Sequence, residues 1–371
     1  MIYLKFVDDW QLADVITHPA PHHADEIFAT VMLARALGLD EWSYHLSVYR
    51  TRDMDIIQKA AERVHDRHWP IICDIGGKYD FARGIYDHHQ ADFSLRRDGD
   101  RFSLKGVKYA TAGLVWKTYG ISVAKTYCRG SILSNPSGIE WQNITRMVDE
   151  ILISGIDGFD NGEFEDDQMM SIPSLIQLFN TNEDEFPPVD GQTYDKMKAE
   201  DRDFSRACKI ADLILERTVM YAVAVETNRK EIEFAIRQLD ENDKFIVLNK
   251  SYSTWREIIL DISAKVNRHD LSPEESNISK IASGLCFCVF PQKGETGNWC
   301  VQAIPPNKNE LMKQRLPFPI SWRGLRGADL IRATGVEDAI FCHFNGFFAL
   351  VGSKGSAIEL AWKASAYQIS A

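Results

Sequence analysis

The chain lacks any run approaching the roughly 20 apolar residues that a membrane-spanning helix needs, so no membrane partner is expected. It also lacks a basic start followed by an apolar segment: MIYLKFVDDWQL mixes both kinds from the outset. No secretory leader is therefore expected, and a cytoplasmic location is the default. Cysteines at pairing distances are missing as well. The seven present (Cys73, Cys128, Cys208, Cys286, Cys288, Cys300 and Cys342) are scattered, and an odd, unpatterned count suits a reducing compartment. Cys286 and Cys288 read as small buried side chains, because a metal site there needs further ligands at matching spacing. A basic excess is absent too. The 42 Lys and Arg stand against 53 Asp and Glu, a formal net charge of −11, which argues against a surface coated for duplex nucleic acid. Internal repeats and low-complexity tracts are not found.

What is present is an ordinary globular balance, 45% apolar and 26% charged residues over 371 positions, enough for two or three domains. The opening third alternates strands and helices. Strands are expected at 13–17, at 47–50 and in PIICDIGG, with helices over 24–37 (stopped by Gly38), 54–64, 109–119 (ended by Gly120) and 140–154. This order predicts a mainly parallel sheet with helices on both faces, hence an α/β catalytic domain over 1–200. EFEDDQ, Pro173, NEDEFPP and Asp190-Gly191 break the pattern and read as a loop-rich insert with short helices. Residues 201–240 hold no Gly or Pro and predict a long connecting helix. In 241–371, KFIVLN, REIILDIS, LCFCVF, WCVQAI and the two halves of AIFCHFNGFFALV read as strands, with a final helix over 355–366. The expectation is a smaller α+β substrate-binding domain. Between Asn307 and Gly335, six basic residues outnumber two acidic ones, a local balance of +4.

Three polar segments, each expected at a strand's C-terminal end, carry the chemistry: Thr17–Glu26 with His18, His22, His23 and Asp25; Cys73–Gly77 with Asp74; and Tyr86–Gln90 with Asp87, His88 and His89. Ligands of open α/β sheets bind beyond those ends. A lone histidine is more often a satisfied core or surface group than a ligand. Several histidines and aspartates in three short segments, each after an apolar run, shift that balance. Mixed imidazole and carboxylate donors favour two divalent cations of the manganese, zinc or iron kind, able to clamp a phosphoryl group. Asp74, with small Gly76-Gly77 behind it, is the choice for a bridging carboxylate. Of the adjacent His88 and His89, one is expected to bind metal and the other to meet substrate. A fourth segment, ISGIDGFDNG, offers Asp157 and Asp160 as ligands, against the plainer reading of an Asx turn in a loop.

Taken in order, THPAPHHADE, DIGGKYD, YDHHQ and IDGFDNG resemble the melanocyte-proliferating-gene family of metal-dependent exonucleases, similar in turn to the DHH phosphoesterase superfamily with its RecJ-like members. The resemblance continues through Ala112–Val115, Arg315–Pro317, Trp322–Arg326 and His343–Phe347. It implies a metal-dependent 3′–5′ exonuclease acting on single-stranded RNA or DNA through metal-activated hydroxide. Two divalent ions, manganese foremost with magnesium, zinc or iron open, would be held by His18, His23, Asp25, Asp74, His88 and Asp157, with Asp160 the lesser alternative. Asp87 would orient the histidines, His89 would contact the scissile phosphate, and Arg323, Arg326 and His343 would hold substrate phosphates. Trp322, Phe344, Phe347 and Phe348 are candidates for base stacking, against a core role. His22 stands where relatives commonly carry phenylalanine, and is read as a substrate contact or, by preference, a surface residue. A homodimer stays open, and the family resemblance adds mitochondrial or nuclear location. Two other readings are kept: a hydrolase of small nucleotides or phosphoanhydrides, and a non-catalytic metal-containing scaffold or regulatory protein.

Overall fold

The computed structural model describes residues 2–37, 44–63, 69–98, 106–129, 139–164, 171–180, 196–294 and 296–367. The chain forms two compact units, Met1–Val223 and Ala224–Ala371, each with its own sheet. The first runs β1 (Ile2–Phe6), β2 (Val15–Thr17), α1 (Ala24–Leu37), β3 (Tyr44–Arg50), α2 (Met54–Glu62), β4 (Ile71–Cys73), β5 (Tyr79–Asp80) and β6 (Ile85–Tyr86). Helices α3 (Thr111–Cys128), α4 (Trp141–Val148), α5 (Ser154–Asp160), α6 (Ile172–Gln177) and α7 (Lys196–Arg237) follow. The strand order is β1-β3-β2-β4-β6-β5. Every neighbouring pair is parallel except β5 with β6.

Val15-Ile16-Thr17 and Ile71-Ile72-Cys73 are buried throughout, as parallel strands covered on both faces must be. The helix α1 is buried from Ala24 to Arg35 and packs on α3. Buried on all sides, it lies inside the unit, and its charged side chains find partners there. Its Arg35 forks onto Asp212 of α7 at 2.8 and 2.6 Å, and the Tyr127 hydroxyl of α3 donates to the same carboxylate at 2.8 Å. Burial and mutual bonding of these three groups tie three helices together.

The α/β expectation holds, with local corrections. α3 continues past Gly120, whose missing Cβ lets the Trp116 ring lie close; an added Cβ there would sit 3.0 Å from it. The helix expected over 140–154 does not stop: α4 passes through a π turn, Asp149–Ile153, directly into α5. Asp157 and Asp160 therefore lie on a helix and not in an Asx-turn loop. Pro173 occupies the first turn of α6, where its lacking N–H costs nothing. Gly38, Val64, most of EFEDDQ, NEDEFPP and Asp190-Gly191 lie outside the described residues. β1 is not among the expected strands, although its residues alternate, with Ile2, Leu4 and Phe6 toward the core and Tyr3 and Lys5 exposed.

In the second unit β7 (Phe245–Val247), α8 (Trp255–Ser263), α9 (Pro273–Gly284), β8 (Phe287–Pro291), β9 (Trp299–Ala303), α10 (Gly327–Thr334), β10 (Ala339–Cys342), β11 (Phe348–Val351) and α11 (Lys354–Tyr367) surround a sheet ordered β10-β11-β9-β8-β7. REIILDIS, expected as a strand, is helix α8. Trp255, Ile258, Ile259 and Ile262, four of its six buried residues, recur at helical spacing, and that period overrides the β-branched composition. Asn345-Gly346 turns β10 into β11, with Gly346 at φ 70. Among the described residues all cysteines are free, and no helix is long and apolar enough to cross a membrane.

Candidate metal centre

Because β2, β4 and β6 are adjacent and parallel, the residues leaving their C-terminal ends come together. His18 leaves β2, Asp74 leaves β4, and Asp87, His88 and His89 leave β6. Asp74 is held at φ 59, a left-handed conformation that aspartate tolerates better than most residues. The N-terminal turns of α1 and α3 and the end of α5 close the site with Asp25, Glu26, Thr111 and Asp160.

Among the described residues there are three groups whose donor atoms lie within 4.8 Å of one another inside each group: His18, His23, Glu26 and Asp74; Asp74, Asp87, His88 and His89; and Asp25, His88 and Asp160. Asp74 belongs to two of them. Its Oδ2 is 3.2 Å from His18 Nε2, and its Oδ1 is 3.6 Å from His89 Nδ1 and 3.8 Å from His88 Nδ1. His88 Nε2 is 3.1 Å from Asp160 Oδ2, and His18 Nε2 is 3.5 Å from Glu26 Oε1. Thr111 adds a hydroxyl 3.2 Å from Asp74 Oδ1.

The electrostatics show what this cluster lacks. Burial, then repulsion by Asp160, Asp74 and Asp157, pushes the Asp25 carboxyl well above its ordinary range. Burial likewise lifts Glu26 to about 8. Burial works against a charged His18, but its bond to Asp74 and the nearby Glu26 win and raise it to about 9. Asp74, despite burial, is held below the usual carboxylate range by that same His18 bond. Carboxylates thus outnumber the cations able to balance them, and protons fill the deficit. Divalent cations would supply that positive charge, and the nitrogen-and-oxygen donor set fits them.

Each residue singled out by sequence has a definite place. Asp87 accepts from the Gly77 N–H at 2.5 Å and from His89 through its backbone N–H at 3.0 Å and Nδ1 at 2.7 Å. The His89 side chain is 59% exposed and its ring stacks on His88 at 4.2 Å. His23 is half-exposed, its ring 5.7 Å from that of His18. Asp25 accepts the backbone N–H groups of Thr111 at 2.8 Å and Ala112 at 2.6 Å, so it caps α3 as well as facing His88. Asp157 points elsewhere: Oδ1 accepts from the Gly113 N–H at 2.9 Å and Oδ2 pairs with Arg97 at 2.8 Å. Asp160, not Asp157, is the α5 carboxylate that joins a donor group. His22 is no surface residue. It is wholly buried, edge-on to Phe204, with Nδ1 3.3 Å from Arg50 Nη2; burial and that guanidinium lower it to about 3, so it stays neutral.

Glu26, Thr111 and Arg97 escaped sequence reasoning. Glu26 had a signal: three residues after His23, it accepts the His23 N–H at 2.8 Å, as in a capping box. Beside Asp160 lies a cavity of about 160 Å³ lined by His23, Asp25, Phe159 and Gln177 among others.

In the second unit, Arg323 Nε donates to the Phe318 carbonyl at 2.9 Å, and the Arg326 guanidinium sits 4.4 Å over the Phe341 ring. His343 accepts the Asn345 N–H at 3.1 Å and packs 4.4 Å from Phe347. Trp322, a stacking candidate, is instead core, between Phe318 and Tyr367. Phe347 and Phe348 are half-buried, and Phe344 is 76% exposed.

The model of a family described as an uncharacterised protein family (UPF0160), the MYG1 exonuclease type, matches residues 14–365. A MYG1 protein of Caenorhabditis elegans is 28% identical, covering 94% of each chain, and one of Dictyostelium discoideum is 27% identical over 94% of this chain and 95% of its own. A MYG1 exonuclease of Mus musculus is 25% identical over 93% of this chain and 83% of its own. No solved structure matches.

Proposed function

Because this chain belongs to the MYG1 exonuclease family (UPF0160), we propose that it is a hydrolase of phosphodiesters, a metal-dependent 3′–5′ exonuclease on single-stranded RNA or DNA. The observation that carries this is the membership of Asp74 in two donor groups, with His88 shared between the second and a third. His18, His23, Glu26 and Asp74 would hold one cation, and Asp25, His88 and Asp160 another, manganese foremost. Divalent cations at such a site supply Lewis acidity toward phosphoryl oxygens and acidify water.

The chain's own groups supply the rest. Asp87 fixes the His89 ring through Nδ1–H, leaving Nε2 as the nitrogen that meets a phosphate oxygen. The bond to Asp87 is also the main reason the His89 pKa is raised, which favours the ring that can donate. Thr111 and the α3 N–H groups keep Asp74 and Asp25 oriented as the phosphoryl charge develops. In the second unit Arg323, Arg326 and His343 hold substrate phosphates, and exposed Phe344 offers a face on which a base stacks.

A second reading keeps the chemistry and shortens the substrate. The formal charge of −11 and a cavity of about 160 Å³ favour small nucleotides or phosphoanhydrides. A 5′-labelled single-stranded twenty-nucleotide RNA and a dinucleotide, each incubated with the manganese-loaded protein, separate the two. A ladder shortened from the 3′ end supports the exonuclease. Cleavage of the dinucleotide alone supports the small substrate. Cleavage of neither, nor of a single-stranded DNA or a phosphoanhydride offered in their place, contradicts both.

A further inference from the structure

Arg97 touches none of the donor atoms, yet it holds the helix that carries one of them. It is 8% exposed and forks onto Asp149, Nε to Oδ2 at 2.8 Å and Nη2 to Oδ1 at 2.7 Å. The same Nη2 lies 2.8 Å from Asp157 Oδ2, and the guanidinium covers the Tyr109 ring at 4.2 Å. Asp149 begins the π turn, and Asp157 sits one helical turn before Asp160. One planar cation therefore grips the α4–α5 helix at two points eight residues apart. A π turn places five residues where an α-helix would place fewer, so the azimuth of everything beyond it depends on the turn persisting.

The other Asp157 oxygen, Oδ1, accepts the Gly113 N–H in the first turn of α3. The two preceding N–H groups, of Thr111 and Ala112, are those that fix Asp25. Asp25 and Asp157 thus share one helix N-terminus, whose orphan donors and dipole suit anionic partners. Position 113 has room for nothing but glycine: a Cβ there would lie 1.9 Å from Asp157 Oδ2 and 2.7 Å from Arg97 Nη2.

We propose that the Arg97–Asp157 pair is a positioning device that sets Asp160 against His88, so that the donor group of Asp25, His88 and Asp160 can take a divalent cation. The proposal rests on the metal-centre reading above. Asp157 then acts through the hydrogen-bonded frame and not as a ligand. Arg97 acts through Asp160, one helical turn beyond its partner.

The test is a cation-binding cycle on the full chain, free of any activity readout. Manganese is titrated into chelator-treated protein and the unbound ion is read by electron paramagnetic resonance. Wild type, Arg97→Ala, Asp160→Asn and the double variant are compared, with circular dichroism reporting the fold. Outer-sphere partners of metal ligands typically alter affinity about 10–100-fold. The expected result is a loss of that size for Arg97→Ala in the wild-type background and almost none in the Asp160→Asn background, where the group to be positioned is already gone. Arg97→Lys, which keeps the charge but not the fork, should fall between. If Arg97→Ala does not fold, Asp157→Asn, which removes the partner charge of the pair and keeps the side chain's shape, takes its place in the cycle. An equal loss in both backgrounds, or none in either, overturns the positioning role. Absence of manganese binding to the wild type overturns the metal centre itself.

Discussion

Asp157 and Asp160 are three residues apart on one helix and have opposite surroundings. Asp157 faces a guanidinium and a helix N-terminus, and Asp160 faces His88 and other carboxylates. Removing one charge should therefore stabilise and removing the other destabilise the cation-free protein. Asp160→Asn is expected to raise the melting temperature in chelator, since it removes repulsion from Asp25. Burial lifts the Asp157 carboxyl to about 7 although Arg97 opposes it, and Asp157→Asn is expected to lower stability by about 1–3 kcal/mol because it leaves an amide NH2 against the Arg97 guanidinium. Thermal melts of both variants in chelator check the signs. At this scale the donor residues were legible, because each occupies a short motif just beyond an apolar strand. Arg97, Thr111 and the choice between Asp157 and Asp160 were not. Their roles depend on how α3 and α5 pack, and Gly113 and Asp157 are 44 residues apart.

Elements were legible where one period dominates and illegible where two compete. The buried strands β2 and β4 and the helix α1 are unambiguous, whereas REIILDIS combines β-branched composition with helical spacing and packs as α8. The same region shows how one side chain joins elements. Arg315 Nη1 donates to the carbonyls of Ala282, Ser283 and Leu285 at the end of α9, Nη2 to the Ser263 hydroxyl at the end of α8, and Nε to the Pro305 carbonyl. Those carbonyls have no intrahelical donors of their own. Arg315→Ala should cost about 2–4 kcal/mol, measured by denaturant titration, because several part-buried acceptors are left without donors. Arg315→Lys should recover only part.

Asp261 of α8 gives the pH dependence. Burial works against its charge, but Arg229 at 2.5 Å and Lys308 at 2.9 Å hold it below the usual carboxylate range. A carboxyl depressed in the folded state adds stability above its unfolded value of about 3.9, lost as pH falls through the lower folded value. The Asp261→Asn penalty should then be full at neutral pH and shrink below about pH 4. A penalty unchanged at acidic pH would contradict it.

Over the whole molecule, composition and alternating elements made the α/β class readable. The long helix was readable from the missing Gly and Pro, although the two units divide within it, at Val223 and Ala224. The surplus of buried carboxylates is the property that links the fold to the function proposed above. Any cation that binds only the folded chain stabilises it, by about 2.7 kcal/mol at a hundredfold excess over its dissociation constant. Manganese should therefore raise the melting temperature, and chelator should reverse the rise.

The most direct measurement is the rate of single-strand hydrolysis across a manganese titration, for the wild type and for Asp74→Asn. Cleavage that saturates with manganese, vanishes in chelator and falls by orders of magnitude without the Asp74 charge is the predicted result. Cleavage that proceeds in chelator, or that Asp74→Asn leaves intact, would contradict a catalytic metal centre at the ends of β2, β4 and β6.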